Sequence, residues 1–432
     1  MPLPSQADTV KIQKDETRPL IIIGSLFFIF GFVTWLSSVL IPYLQIACEL
    51  NNFQAYLVAF AFYISYFVMA VPSGKVLKIT GYKNGMSLGL LLVAAGSLIF
   101  VPAAIYRTYS IFLIGLFVQG AGMAVLQTAA NPYITILGPE ESAAKRMSIM
   151  GICNGVAGII APAILGMVIL NNADALTESL KNMSAVDKTA SLNALARKVI
   201  FPYIIITATL VLLALLIYRS DLPEIDEPPE DNVDLSEKTS KTSIFQFPHL
   251  LIGVFTLFLY VGVEVIAGNT IIQYGTYQSI PLSTAKFFTS FTLTAMLVGY
   301  LVGIVCIPKY FSQKIALKYS AIFGTIFVLL ALGTHGWISV MFIALLGLSN
   351  SLMYPSIWPL AIGGLGKFTK IGSSLLVMAI SGGALLPLLY GWLTDRINAQ
   401  QAYWIVVPCY AMIGYYAIWG HNIGRKVRRH LK

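Results

Sequence analysis

The chain has 432 residues, 57% of them hydrophobic and only 11% charged, with a mean hydropathy of +0.77. No water-soluble domain of this size can present that balance to solvent, so the chain belongs in a membrane, and its net charge of +9 needs a membrane explanation before a nucleic-acid one. Four cysteines, Cys48, Cys153, Cys306 and Cys409, have neither the density of a disulfide scaffold nor the spacing of a zinc site. The first residues lack the order of basic flank, apolar stretch and small-residue cleavage site, so no removed signal peptide is expected.

Twelve stretches are apolar over the roughly 19 residues that a helix needs to cross a bilayer. Their cores are Leu20–Leu44, Ala55–Val76, Asn84–Tyr106, Ser110–Leu137, Met147–Leu170, Val199–Tyr218, Leu250–Gln273, Phe287–Ile307, Ile315–Leu332, Trp337–Leu365, Ile371–Leu393 and Tyr403–Trp419, here called spans 1 to 12. They are continuously apolar and too long for tilted strands, which predicts an all-α membrane protein. Alternate loops, counted from the N-terminal tail, hold 21 of the 28 Lys and Arg residues. By the positive-inside rule both termini are then cytoplasmic, and the same bias accounts for the net charge without nucleic acid.

The longest polar segment between spans holds eight of the nineteen acids, between Asp221 and Glu237, and reads as a solvated linker. The expected organisation is a tail over 1–18, a six-helix half over 19–218, the linker over 219–248, a second six-helix half over 249–420 and a basic tail over 421–432. The halves repeat one another. Gly158, Pro162 and Gly166 of span 5 recur at the same spacing as Gly383, Pro387 and Gly391 of span 11, and Gly120 precedes Pro132 in span 4 by twelve residues, as Gly347 precedes Pro359 in span 10. Six spans repeated in parallel is the plan of the major facilitator superfamily, whose substrate sites lie near midplane between the halves. The loop GKVLKITGYKNG has the glycine and basic skeleton of that superfamily's cytoplasmic loop motif, with Lys78 near the place of its usual aspartate.

Charge inside the membrane costs roughly 3 kcal/mol on insertion scales, and of nineteen acids only Glu264, in LYVGVEVIAGNTI, lies deep in a span. No Lys or Arg falls mid-span. An unpaired carboxylate there either takes up a proton or binds a cation such as sodium, and both suit an ion-coupled carrier; a structural bond to a neighbouring helix is the competing reading. A break at Gly268 would gather Glu264, Asn269 and Thr270 into an oxygen cage for sodium, whereas an unbroken helix sets Glu264 and Asn269 about 140° apart. Gln127 and Asn131 share one face of span 4, and Asn154, Ser37, Ser38, Asn269 and Gln273 add groups suited to a hydroxyl-rich solute. Asn350, Tyr354 and Trp358 recur every four residues in span 10; with Trp35, and with Tyr63 and Tyr66 of span 2, they offer rings for the apolar face of a pyranose. His249, His335, His421 and His430 lie at span ends or in the tail, so no intramembrane enzyme constellation is available and no cofactor is expected.

At FFIFGFVTWLSSVLIPYLQIACELNNFQAYLVAFAFYISYFVMAVPS, LQTAANPYITILGPEESAAKRMSIMGICN and LYVGVEVIAGNTI the chain resembles the fucose/glucose–galactose permease family of the major facilitator superfamily. The resemblance implies import of a monosaccharide or N-acetylglucosamine across a bacterial cytoplasmic membrane, coupled to sodium or protons, by a monomer whose partners are sugar, coupling ion and lipid. Departures accompany it. Ser38 and Gln127 stand where proton-coupled fucose permeases have an aspartate and a glutamate, and Asn269 stands where closer relatives have an aspartate. Glu264 is then the remaining acid of the family's membrane set, and an uncoupled uniporter stays open as the alternative. A sugar sensor without transport is more remote, because the loops are too short for a signalling domain.

Overall fold

The structure, a computed structural model, describes residues 6–136, 143–171, 173–220, 243–307 and 310–424, with the backbone alone at 6–20, 131–136, 143–148, 367 and 370. Most of the expected linker, 221–242, and the basic tail from 425 lie outside the described residues. Among the described residues there is no strand. Hydrocarbon offers the backbone no partner, so each crossing segment closes its own hydrogen bonds as a helix.

Ten helical stretches are individually long and apolar enough to cross a bilayer. One of them, Asn52–Ile105, has 54 residues, about 80 Å if straight, and so contains two crossings. Spans 2 and 3 part at Gly81, whose φ of 75° is a left-handed conformation that a side chain would resist. The helix of span 2 therefore runs on to Thr80, through most of the segment read above as a loop. Span 12 is a 3-10 turn, Gln401–Ile405, leading into Val406–Ile418. This completes the twelve crossings. They leave the first and last described residues, Gln6 and Gly424, at one end of the bundle, the terminal end; the opposite end is called distal below.

Four spans are built from two helices. Span 1 is Gln6–Trp35 and Ser37–Ala47, span 7 is Pro248–Asn269 and Ile271–Tyr277, span 10 is Gly336–Asn350 and Met353–Ile362, and span 11 is Thr369–Ala379 and Gly382–Arg396. Span 4 is Tyr109–Ile136, span 5 Ala143–Ile169, span 6 Ile200–Tyr218, span 8 Phe288–Cys306 and span 9 Gln313–Gly333. Helix starts at the distal end are locally encoded. Before span 2, Asn51 and Gln54 cap one another, the Asn51 side chain accepting from Gln54 N at 2.8 Å and the Gln54 side chain from Asn51 N at 3.1 Å. Between spans 5 and 6 lie two short distal helices, Ala173–Ser179 and Ala185–Arg197, the second held by Tyr43, whose hydroxyl donates to Leu195 O and Ala196 O at 2.7 and 2.9 Å.

Repeated glycines mark equivalent contacts in the two halves. A Cβ on Gly120 would overlap the Phe62 carbonyl of span 2, and one on Gly347 would overlap the Thr292 carbonyl of span 8. The glycines of spans 5 and 11 line the seam between the halves: Gly158 meets Trp35 and Leu293, and Gly383 meets Val265 and Tyr63. Near the distal end Gly166 faces Lys286, while Gly391 faces Tyr56 and the start of span 2. Span 5 thus packs on span 8, and span 11 on span 2. Small residues permit such close approach, which supplies the van der Waals contact that lipid-immersed helices rely on.

Gly120→Val and Gly347→Val each force a side chain into a neighbouring backbone and should destabilise by ~2–3 kcal/mol. The midpoint of thermal unfolding in detergent should fall for both, and should stay or rise for Gly74→Ala, where nothing lies within 4 Å.

Candidate functional site

Glu264 sits in the first helix of span 7 and is half-buried. Tyr260, one turn earlier on the same helix, lies within electrostatic range of it. Four further phenols lie within electrostatic range: Tyr63 from span 2, Tyr300 from span 8, Tyr354 from span 10 and Tyr410 from span 12. With phenols from spans 2, 8, 10 and 12 in its surroundings, Glu264 faces the interior of the bundle rather than lipid. Among the described residues no basic side chain is paired with it, and the ion pair they do form, Lys188 with Glu49 at 2.6 Å, is at the distal surface.

Aromatic rings continue the wall in both halves. Tyr63 and Tyr66 stack at 6.2 Å, and Gln127 Nε2 donates to the Tyr66 hydroxyl at 3.0 Å. Opposite them Tyr354 stacks on Trp358 at 5.6 Å and meets Tyr260 at 6.3 Å. Gln127, Asn154, Tyr300, Tyr354 and Trp358 are all half-buried, as Glu264 is. Hydroxyl and amide edges beside stacked ring faces match a pyranose, which has polar edges and apolar faces.

The break in span 10 separates Asn350 from the two rings that follow it. Asn350 is buried, its Oδ1 accepts from the Tyr410 hydroxyl at 2.8 Å, and its Nδ2 has no partner. A buried donor without a partner beside Tyr410 is a polar group whose hydrogen bond is still to be met.

Other expected site residues are turned elsewhere. Trp35 is 5% exposed and packs with Leu293 and Met296 in the seam. Ser38 is fully buried and donates to Trp35 O of its own span at 2.8 Å. Asn269 Nδ2 donates to Ser37 Oγ at 3.0 Å, and Gln273 Nε2 donates to Gln45 Oε1, so both join spans 1 and 7 on the distal side of Glu264. The side chain of Asn131 lies outside the described residues.

The oxygen cage expected for sodium is not assembled. Span 7 stays helical through Asn269 and breaks at Thr270 rather than Gly268, with Thr270 N still bonded to Ile266 O at 3.0 Å. The Gly268 carbonyl accepts from Thr289 Oγ1 at 2.8 Å, and the Thr270 hydroxyl is shared between Ile266 O at 2.8 Å and Tyr403 at 2.6 Å. Among the described residues no group of three His, Cys, Asp or Glu side chains is placed to hold a metal ion.

Tyr260, Tyr300 and Tyr410 were not among the residues expected from sequence. Tyr260 could have been found, since it precedes Glu264 by four residues on one helical face. Nothing in the sequence ties the other two to Glu264. A separate crevice of about 760 Å³ between spans 1, 5 and 6 is lined by residues such as Phe28, Phe32 and Leu213. Its lining is almost wholly apolar, and the hydroxyls of Ser25 and Thr209 donate to Ile21 O and Ile205 O of their own helices.

The chain is 34% identical over 411 residues to the glucose/galactose transporter of Brucella abortus biovar 1, covering 94% of this chain and 95% of that one. It is 33% identical over 405 residues to the L-fucose-proton symporter of Escherichia coli K12, covering 92% of each. The crystal structure of the transporter FucP in the outward conformation superposes with a TM-score of 0.72 at 31% identity, covering 93% of this chain and 98% of that one. The Major Facilitator Superfamily profile matches residues 23–368, and this chain, a multi-pass membrane protein of twelve helices, belongs to that superfamily.

Proposed function

We propose that the chain imports a monosaccharide, a hexose or N-acetylglucosamine, across a bacterial inner membrane by alternating access, coupled to protons through Glu264. The observation that carries this reading is a carboxylate in the membrane interior with no basic partner among the described residues, within electrostatic range of five phenols, two of which belong to stacked aromatic pairs. The names of the relatives, a glucose/galactose transporter and an L-fucose-proton symporter, support it. The placement of Asn269 and Thr270 away from Glu264 favours the proton over sodium. The loop charges orient the terminal end to the cytoplasm, so that import runs from distal to terminal.

The phenols supply the coupling. A charged carboxylate in a closed cavity needs hydrogen-bond donors, and Tyr260 with its neighbours can turn hydroxyls to it while the site is empty. Once Glu264 is protonated those hydroxyls are free for sugar oxygens. Proton and sugar therefore draw on one set of donors, and the halves close either over a solvated charge or over a neutral, sugar-filled site.

Uptake of labelled glucose, galactose, mannose, fucose and N-acetylglucosamine into proteoliposomes tests the reading. One sugar should accumulate above equilibrium under an inside-alkaline pH gradient, and not under a sodium gradient alone. Equilibration without accumulation under either gradient would leave a uniporter. Glu264→Gln should abolish accumulation while leaving sugar exchange intact, and Tyr260→Phe should lower the accumulation ratio severalfold. Removal of the stacking face in Trp358→Ala should raise KM about tenfold, the loss expected for one aromatic contact of ~1–1.5 kcal/mol.

A further inference from the structure

Two carboxylates at the distal end bind backbone of the opposite half. Asp395, in the last turn of span 11, accepts Asn52 N at 3.2 Å and Asn52 Nδ2 at 2.7 Å on Oδ1, and Phe53 N at 2.8 Å on Oδ2. Asn52 and Phe53 open the helix of span 2. Asp174, just beyond span 5, accepts Leu282 N at 2.9 Å on Oδ1 and Ser283 N at 2.8 Å on Oδ2. Leu282 and Ser283 open the short helix Leu282–Ala285 that leads into span 8. The two positions are not equivalent in the repeat, since Asp174 belongs to the short helix Ala173–Ser179 and Asp395 to span 11, but each half supplies one carboxylate to helix-opening N–H groups of the other.

Helix-opening N–H groups have no partner within their own helix, and a carboxylate that accepts two of them makes charge-assisted bonds. Burial raises the proton affinity of Asp174, but the N–H groups of Ser283 and Leu282, the Ser283 side chain and the charge of Lys286 outweigh it and hold the carboxyl below the usual range. At the Glu264 level and above it the same seam is closed by Ser37 with Asn269, Gln45 with Gln273 and Ser290 with Ile159 O. Every inter-half hydrogen bond named here lies between Glu264 and the distal surface. Opening the distal side requires spans 2 and 11, and spans 5 and 8, to separate there, which strips both carboxylates of their N–H partners.

We propose that Asp174 and Asp395 are a paired latch that sets the population of the distally closed state, and so positions the cavity toward the terminal end when no sugar is bound. The proposal rests on the alternating-access reading above, and its readout needs no sugar.

The reporter is Gln45→Cys in a chain whose four native cysteines are serine, labelled in proteoliposomes by a membrane-impermeant thiol reagent. Asp395→Ala and Asp174→Ala should each raise the labelling rate about tenfold, a factor equivalent to ~1.4 kcal/mol in the closing equilibrium, and the double variant should exceed either. As a second measurement, Asn52→Cys with Asp395→Cys should form a disulfide that stops uptake, and reducing agent should restore it. Labelling of the double alanine variant at the background rate, with unchanged thermal unfolding, would overturn the latch. So would a cross-linked protein that still transports. Raised labelling in a protein that moves none of the sugars would leave the latch standing and remove the proposed function.

Discussion

A backbone in hydrocarbon has no water to bond with, and the architecture follows from that constraint. Each crossing closes its own hydrogen bonds, so irregular backbone is confined to places where other protein groups can meet it. The breaks in spans 1, 7, 10 and 11 fall at Leu36, Thr270, Ser351 with Leu352, and Ile380 with Ser381. At Thr270 the hydroxyl meets Tyr403 and its own helix; nearby the Gly268 carbonyl receives Thr289. The broken spans 1, 7 and 11 share the seam with the unbroken spans 2, 5 and 8.

The same medium makes charge expensive, which gives Glu264 its weight. Tyr260 on its own helix and phenols from spans 2, 8, 10 and 12 lie within electrostatic range of it. Phenols suit this task because they donate hydrogen bonds without adding a compensating positive charge, so the carboxylate can gain or lose a proton without unmaking an ion pair. Span 10 contributes twice, first through Asn350 bound to Tyr410, then, after its break, through Tyr354 stacked on Trp358.

Packing divides the seam into two kinds of contact. Glycines of spans 5 and 11 allow close, weakly directional contact that can slide. Toward the distal end the contacts become directional, with side-chain amides between spans 1 and 7 and carboxylates on helix-opening N–H groups. A rocking motion between halves is compatible with the first kind and is opposed by the second, so the balance between closed and open states is concentrated in few residues.

Hydropathy alone determined the twelve crossings, because bilayer thickness converts run length into a helix count, and scarcity of charge singled out Glu264, because nineteen acids include only one that lipid would not tolerate. The glycine spacing in spans 4, 5, 10 and 11 was also legible, since close approach admits no other residue at positions such as Gly120 and Gly347. Tertiary structure decided what those residues meet. Spacing grouped Trp35, Ser38, Asn269 and Gln273 with a sugar site; in the fold Asn269 and Gln273 bond to span 1, Trp35 packs on Leu293 and Met296, and Ser38 bonds to its own span, while Tyr300 and Tyr410, within electrostatic range of Glu264, come from spans far along the chain. Nor could it foresee Asp174 and Asp395, because most of their partners are backbone N–H groups, which every sequence carries, and the side chains that join them, Asn52 and Ser283, lie more than a hundred residues away along the chain. Spacing along a helix states which residues share a face, whereas the facing partner depends on how twelve helices pack, and that is settled only in three dimensions.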